Sequence, residues 1–501
     1  MRRAPRRSAG RSRVDVFAMF AVATACSEEP AHPGGSGGAV ASGGGHGGTH
    51  QDGGASSGGG EPVAGSDEGG GGARIAPFEE GEDQPGGDTT TPTRDASSFL
   101  QPAANLSPER RGTFEAGLAL FDVAWTNGGD PDRDGLGPTY IGTSCQSCHF
   151  RGGRGAPPLP GQPMTSMLVR LSVPANGKYG PDARYGDQLQ NRAIAGVEPE
   201  GWFSVDFEPS RSNFEDGSEF ELLAPKYTAH DLAFGPLAED TKLSARVAQP
   251  MIGLGLLAAI GDEDIEQLAD PDDIDGDGIR GRRNHLDGGP GRFGWKANQR
   301  DLATQTAAAF LFDMGITSSQ RPNDDCPAPQ LECGAHAGVE LDIDDPKLDA
   351  VVFFSHLVAV PHRPDARDDG VLRGKAVFED AGCTSCHTPS FRTGAIARFP
   401  ELEDQLIFPY TDMLLHDMGE GLADERPDGA ASGRDFRTPP LWGIGVAAEV
   451  SGHGRLLHDG RARSIEEAIL WHGGEAEASR ARYVESSAAD RDALLRFVES
   501  L

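Results

Sequence analysis

Two copies of one five-residue pattern constrain this chain more than anything else in it: Cys145-Gln-Ser-Cys148-His149 and Cys383-Thr-Ser-Cys386-His387. Two thiols three positions apart, followed at once by histidine, form the attachment pattern of a c-type haem. The thiols bond to the two vinyl groups of the macrocycle, and the adjacent imidazole is held against the iron as its proximal ligand. A zinc ribbon and a thioredoxin-like CxxC are the competing readings. Paired zinc ligands sit about 15–20 residues apart, whereas these two pairs are far more distant. Neither alternative explains a histidine after both pairs. The pattern predicts two covalently bound haem c groups, on Cys145, Cys148 and His149 and on Cys383, Cys386 and His387.

The 501 residues leave room for two or three domains. A net charge of −32 argues against nucleic acid and against an anionic membrane surface as partners. It suits a basic electron-donor protein. The 69 Gly and 36 Pro hold the apolar fraction to 37%, and no run is long enough for a mature transmembrane helix.

Residues 1–26 have the pattern of a lipoprotein-type signal peptide. Arg2, Arg3, Arg6 and Arg7 give a basic start, and Val14 to Ala25 a short apolar stretch interrupted by Asp15. Ala23-Thr-Ala-Cys26 resembles a lipobox, in which Cys26 would be lipidated; an ordinary signal peptide cut nearby is the alternative. Export to the periplasm or cell surface is expected, with membrane contact through the lipid anchor only. Residues 27–100 are rich in Gly, Ser, Asp and Glu and poor in large apolar side chains. Such a segment cannot bury enough surface to offset its ordering entropy, so a disordered tether is expected there. His32, His46 and His50 are too sparse in it to form a metal site. The rest divides into an N-terminal cytochrome c-like haem domain with insertions, 101–362, and a C-terminal one, 363–501. The expected fold is mainly α: two cytochrome c-like haem domains with long loops and a few short strands.

Ser107-Pro108 reads as a helix start, followed by Phe114, Leu118 and Phe121 at helical spacing. Within that helix Gly117-Leu-Ala-Leu-Phe121 parallels Gly374-Lys-Ala-Val-Phe378, which precedes the second CxxCH. A duplicated haem unit explains the parallel. At the C-terminus, Ser487 and Asp490 cap an apolar stripe of Leu494, Phe497, Val498 and Leu501. Gly374 and Phe497 are placed to make the crossing of first and last helices found in c-type cytochromes. Cys326 and Cys333 bracket six residues and, in an oxidising compartment, are expected to form a disulfide. Asp273, Asp275 and Asp277 match the first half of an EF-hand loop and make Ca2+ a candidate, although position twelve is Asn284 instead of a bidentate Glu. Met251, Met314 and His356 read as core residues.

The C-terminal part, through Pro409 to Gly419, Arg437-Thr-Pro-Pro-Leu-Trp-Gly443 and His458 to Ala476, resembles the di-haem oxidoreductase family. That family is related to bacterial di-haem cytochrome c peroxidases. Arg292-Phe-Gly-Trp295-Lys and Tyr185-Gly-Asp-Gln-Leu-Gln190 extend the likeness, which covers about residues 105–501. The resemblance implies a peroxide-binding N-terminal haem and a six-coordinate C-terminal haem that relays electrons. It also implies a Gln and a Glu ten positions apart beside the peroxide. Gln188 with Glu198 and Gln190 with Glu200 both satisfy that spacing. The run His458 to His472 resembles the segment that delivers the sixth ligand, and His472 falls where those enzymes carry methionine. Reduction of hydrogen peroxide or another small oxidant follows as the expected activity, with electrons from a c-type cytochrome or a cupredoxin. An electron-transfer cytochrome without catalysis, and a high-valent-iron oxidase of a protein or organic substrate, are the alternatives.

Overall fold

The computed structural model describes residues 74–175, 178–338 and 340–501. The signal peptide, Cys26, the tether up to residue 73 and its three histidines lie outside the described residues. Residues 71–501 form one compact unit.

The expectation of a mainly α fold is corrected. Helix accounts for 30% and strand for 18%, the strands being spread over several small antiparallel sheets. The largest departures lie between residues 167 and 247. Met167–Ala175 is central to a three-stranded sheet, pairing with Lys178–Gly180 on one side and Lys242–Val247 on the other. Met167, Val169 and Leu171 alternate inward, the period of a half-buried strand. Trp202–Asn213 and Glu219–His230 form a long hairpin in register from Trp202↔His230 to Asn213↔Glu219. The main hydrophobic core also runs across residue 362 instead of dividing there. Phe99, Phe121, Met251 and Phe354 share it with Phe399, Met413, Trp442 and Val450.

The tether also ends earlier than expected. Residues 74–106 pack along the chain that follows Leu357, with Thr91 bridging Pro361 and Pro102 bridging Val358. Phe99 is fully buried. Glu82, also fully buried, is the counter-ion of Arg363 and Lys375 at 3.4 and 3.1 Å. A few well-placed side chains anchor a stretch whose average composition reads as solvated.

Two helix pairs share one crossing geometry. Pro108–Asp122 crosses Asp345–Leu357, and Asp369–Asp380 crosses Ala488–Ser500. A methyl group on Gly117 would meet the Ala350 carbonyl at 2.1 Å and the Phe354 Cβ at 2.7 Å. On Gly374 it would meet the Ala493 carbonyl at 1.9 Å and the Phe497 Cβ at 2.7 Å. Each crossing therefore requires glycine, because the backbones approach within the volume of a side chain. Phe121 packs on Phe354 with centroids 5.1 Å apart, and Phe378 on Phe497 at 5.3 Å. The short sequence parallel marks two equivalent helix pairs, each delivering a CxxCH turn.

Candidate functional site

Each CxxCH segment forms a short 3-10 turn, Cys145–Ser147 and Cys383–Ser385. The aromatic ring of the preceding helix stands 6.1 Å from the histidine in both cases, Phe121 from His149 and Phe378 from His387. The histidines are oriented alike. His149 Nδ1 donates to the Gln249 carbonyl at 2.7 Å, and His387 Nδ1 to the Tyr410 carbonyl at 2.9 Å. A carbonyl only accepts, so the proton sits on Nδ1 and Nε2 keeps its lone pair for a metal. Burial depresses both imidazole pKa values, His387 to about 4, with the neighbouring His472 adding to the effect there. The chain thus keeps both rings neutral. Desolvation pushes Cys145, Cys148 and Cys383 up to about 12.

His387 faces a large cavity that opens to solvent. Its walls are mostly apolar, and Cys383, Cys386, His387 and His472 all contribute to them. Size, apolar lining, paired thiols and two imidazoles suit a haem. His472 arrives on a short helix, Ile465–Leu470, whose N-terminus is capped by Ser464 accepting from the Glu467 N–H. The helix ends two residues before His472, which hangs on its last turn. Ile465, Ile469 and His472 share the face that lines the cavity. His472 Nδ1 donates to the Ala468 carbonyl at 2.7 Å, so its Nε2 is also free. His356 makes a similar bond to Val352 but stacks on Phe399 at 4.1 Å; with Met251 and Met314 it belongs to the packing.

His416, on the same cavity wall, is not available as a ligand. Its Nε2 faces Asp412 at 2.8 Å and its Nδ1 faces Glu475 at 2.7 Å. Burial opposes its charge, but the Asp412 carboxylate and the hydrogen bonds outweigh that and hold its pKa well above the usual value.

Of the two Gln/Glu pairs, the structure separates the members. Glu198 is exposed, whereas Glu200 is 1% exposed. Gln190 N–H donates to Glu200 Oε2 at 2.6 Å, and Glu200 N–H returns a bond to the Gln190 carbonyl at 3.0 Å. Gln330 Nε2 donates to the other carboxylate oxygen at 2.5 Å. Desolvation raises the Glu200 pKa to about 8 despite both donors. The amides of Gln188 and Gln190 both reach the Phe312 carbonyl at 2.7 Å. Gln188 also donates to Asp313 at 3.0 Å, and Asp313 acts electrostatically on Cys145 and Cys148. Gln188, Gln190 and Glu200 therefore lie on the His149 side of the molecule.

Gln330 was not legible as a site residue. It lies inside the loop closed by the Cys326–Cys333 disulfide. Asp273, Asp275 and Asp277 bring their carboxylates within 4.8 Å of one another on an exposed turn. Asn284, at position twelve, is turned into the core, donating to the Lys296 and Asp428 carbonyls at 2.8 Å, and takes no part in that turn. Among the described residues no helix is long and apolar enough to cross a membrane.

The sequence matches the family described as "Di-haem oxidoreductase, putative peroxidase" over residues 81–175 and 227–501. Both CxxCH segments and His472 lie inside the match. Gln188, Gln190, Glu198 and Glu200 lie in the gap, so geometry alone speaks for them. No curated protein and no solved structure matches the chain.

Proposed function

The chain belongs to the di-haem oxidoreductase family, and from that premise we propose that it is an exported peroxidase. It carries two covalent haems and reduces hydrogen peroxide with electrons from a small donor protein, a c-type cytochrome or cupredoxin. The observation behind this reading is the duplicated attachment geometry: two thiols, a neutral imidazole with a free Nε2, and an aromatic at 6.1 Å, presented twice. When bound, the haems supply electron storage and the redox chemistry of O–O cleavage.

The residues of the chain supply proton handling and orientation. Glu200, with a pKa near 8, holds or releases a proton close to neutral pH. In its ionised form it takes a proton from the peroxide and returns it to the departing hydroxyl, which leaves as water. The Gln190 N–H and the Gln330 amide fix its two oxygens. At the other site, His387 and His472 would hold the haem between them. The bond of His472 to Ala468 orients its ring, and the apolar wall excludes water.

Intact mass is the direct test. The mature protein, made with cytochrome c maturation machinery, should exceed its polypeptide mass by two haems. Cys145→Ala and Cys383→Ala should each disturb one of them. A colourless protein would overturn the proposal. Anchoring is tested separately: Cys26→Ser should move the protein from the membrane to the soluble fraction. Unchanged membrane association would remove the lipid anchor and leave the haem reading intact.

A further inference from the structure

The described residues include eight arginines that are almost wholly buried, and all but one have a carboxylate partner. Arg246 has Asp428, Arg363 has Glu82, Arg426 has Asp187 and Arg461 has Asp459. Arg283 and Arg292 share Asp262, and Arg491 has Asp216. Arg437, 3% exposed, is the exception. Its donors reach only neutral groups: the Gly294 carbonyl at 3.1 Å, the Thr438 carbonyl at 3.0 Å, Gln249 Oε1 at 3.3 Å and Met413 Sδ at 3.6 Å. Asp412 is the carboxylate whose field reaches it, and Asp412 is engaged by His416.

Arg154, only partly buried, likewise lacks a carboxylate partner. It donates to the Arg455 and Leu457 carbonyls at 3.2 and 2.8 Å, lies over the Trp295 ring, and forms no ion pair. Arg437 and Arg154 both line the cavity of His387 and His472. They flank one residue, since the Arg437 N–H donates to the Trp295 carbonyl at 2.8 Å. Desolvation depresses each guanidinium to about 10. Taking a charge out of water without a counter-charge is unfavourable. Two cations without a carboxylate partner line this one cavity, and an anion inside it would complement them.

We propose that Arg437 and Arg154 form the anion-binding pole of this cavity and pair with the propionate carboxylates of the haem attached at Cys383 and Cys386. This rests on the reading that a haem occupies the cavity. The same cavity would then offer thiols, apolar side chains and two cations to a haem held there. Arg437 also holds the Gln249 side chain, and the Gln249 carbonyl orients His149.

Potentiometric titration of the purified di-haem protein, followed by visible absorption between about pH 6 and 9, tests the assignment. A paired propionate stays ionised and its charge is offset. Without the cation, its charge favours the oxidised iron and its proton equilibrium enters the working range. Arg437→Gln and Arg154→Gln should each lower the reduced-to-oxidised ratio of one haem roughly tenfold at fixed applied potential, the size of a one-unit pKa interaction. They should also make that ratio depend on pH. Arg437→Lys should keep most of the wild-type ratio. Inorganic phosphate at matched ionic strength should leave the wild-type ratio unchanged, because a fixed carboxylate fills the site; a phosphate-dependent ratio would point to a soluble anion and overturn the proposal. If Arg437→Gln fails to accumulate, Arg154→Gln carries the test. A double variant with two haems by mass, an intact low-spin spectrum and wild-type potentials would also overturn it. Absence of haem at Cys383 and Cys386 would instead overturn the functional reading beneath it.

Discussion

Glu200→Gln should slow peroxide turnover by about 10²- to 10⁴-fold, the range contributed by a positioned general acid–base group. The side chain keeps its size and loses its titration. In the wild type, burial lifts the carboxyl to about 8, above the ordinary carboxylate range. At neutral pH most molecules hold the proton, and the first step needs the ionised form. Turnover should therefore rise as pH increases through about 8. The variant should lose both the rate and that rise. Glu198→Gln is the control, because Glu198 is exposed, and it should leave turnover near the wild-type value. The measurement is peroxide consumption by pre-reduced protein with a small cytochrome or dye as donor. Equal rates in wild type and Glu200→Gln would remove Glu200 from the mechanism. No peroxide reaction in either oxidised or half-reduced protein would favour an electron-transfer role.

His472→Ala should convert the His387 haem from low-spin to high-spin or leave it open to an added ligand such as imidazole. His472→Met should keep it low-spin and raise its potential, since methionine favours the reduced iron relative to imidazole. The physical case is that three features coincide on one side chain. It lines the same cavity as Cys383 and Cys386, its Nδ1 proton is committed to Ala468, and its charge state acts on His387. Of the other candidates, His416 has both ring nitrogens engaged by carboxylates. Met418 remains on the wall. A bis-imidazole signal that survives His472→Ala would sink the assignment.

The two Cys-x-x-Cys-His patterns were legible one residue at a time. They need only local spacing, so both were readable without a fold. The repeat Gly-x-Ala-x-Phe at 117 and 374 was readable too, but the close approach to Ala350 and Ala493 that requires the glycines is tertiary. The proportion of strand was less legible. The hairpin from Trp202 to His230 carries much of its length in solvent, where few inward residues give the alternation that signals a strand. The tether's end was misread for a related reason. Average composition does not register that a single Glu82 neutralises two buried cations from distant positions.

What the sequence alone determined was therefore what depends on neighbours in the chain: two Cys-x-x-Cys-His patterns and the family they point to. What distinguishes Glu200 from Glu198, its burial and the donor Gln330 more than a hundred residues away, appears only in the tertiary structure. The charge on Arg437 likewise became informative only in three dimensions. An arginine in a sequence is one of many, and only the fold shows which guanidinium has been taken out of water without a carboxylate beside it.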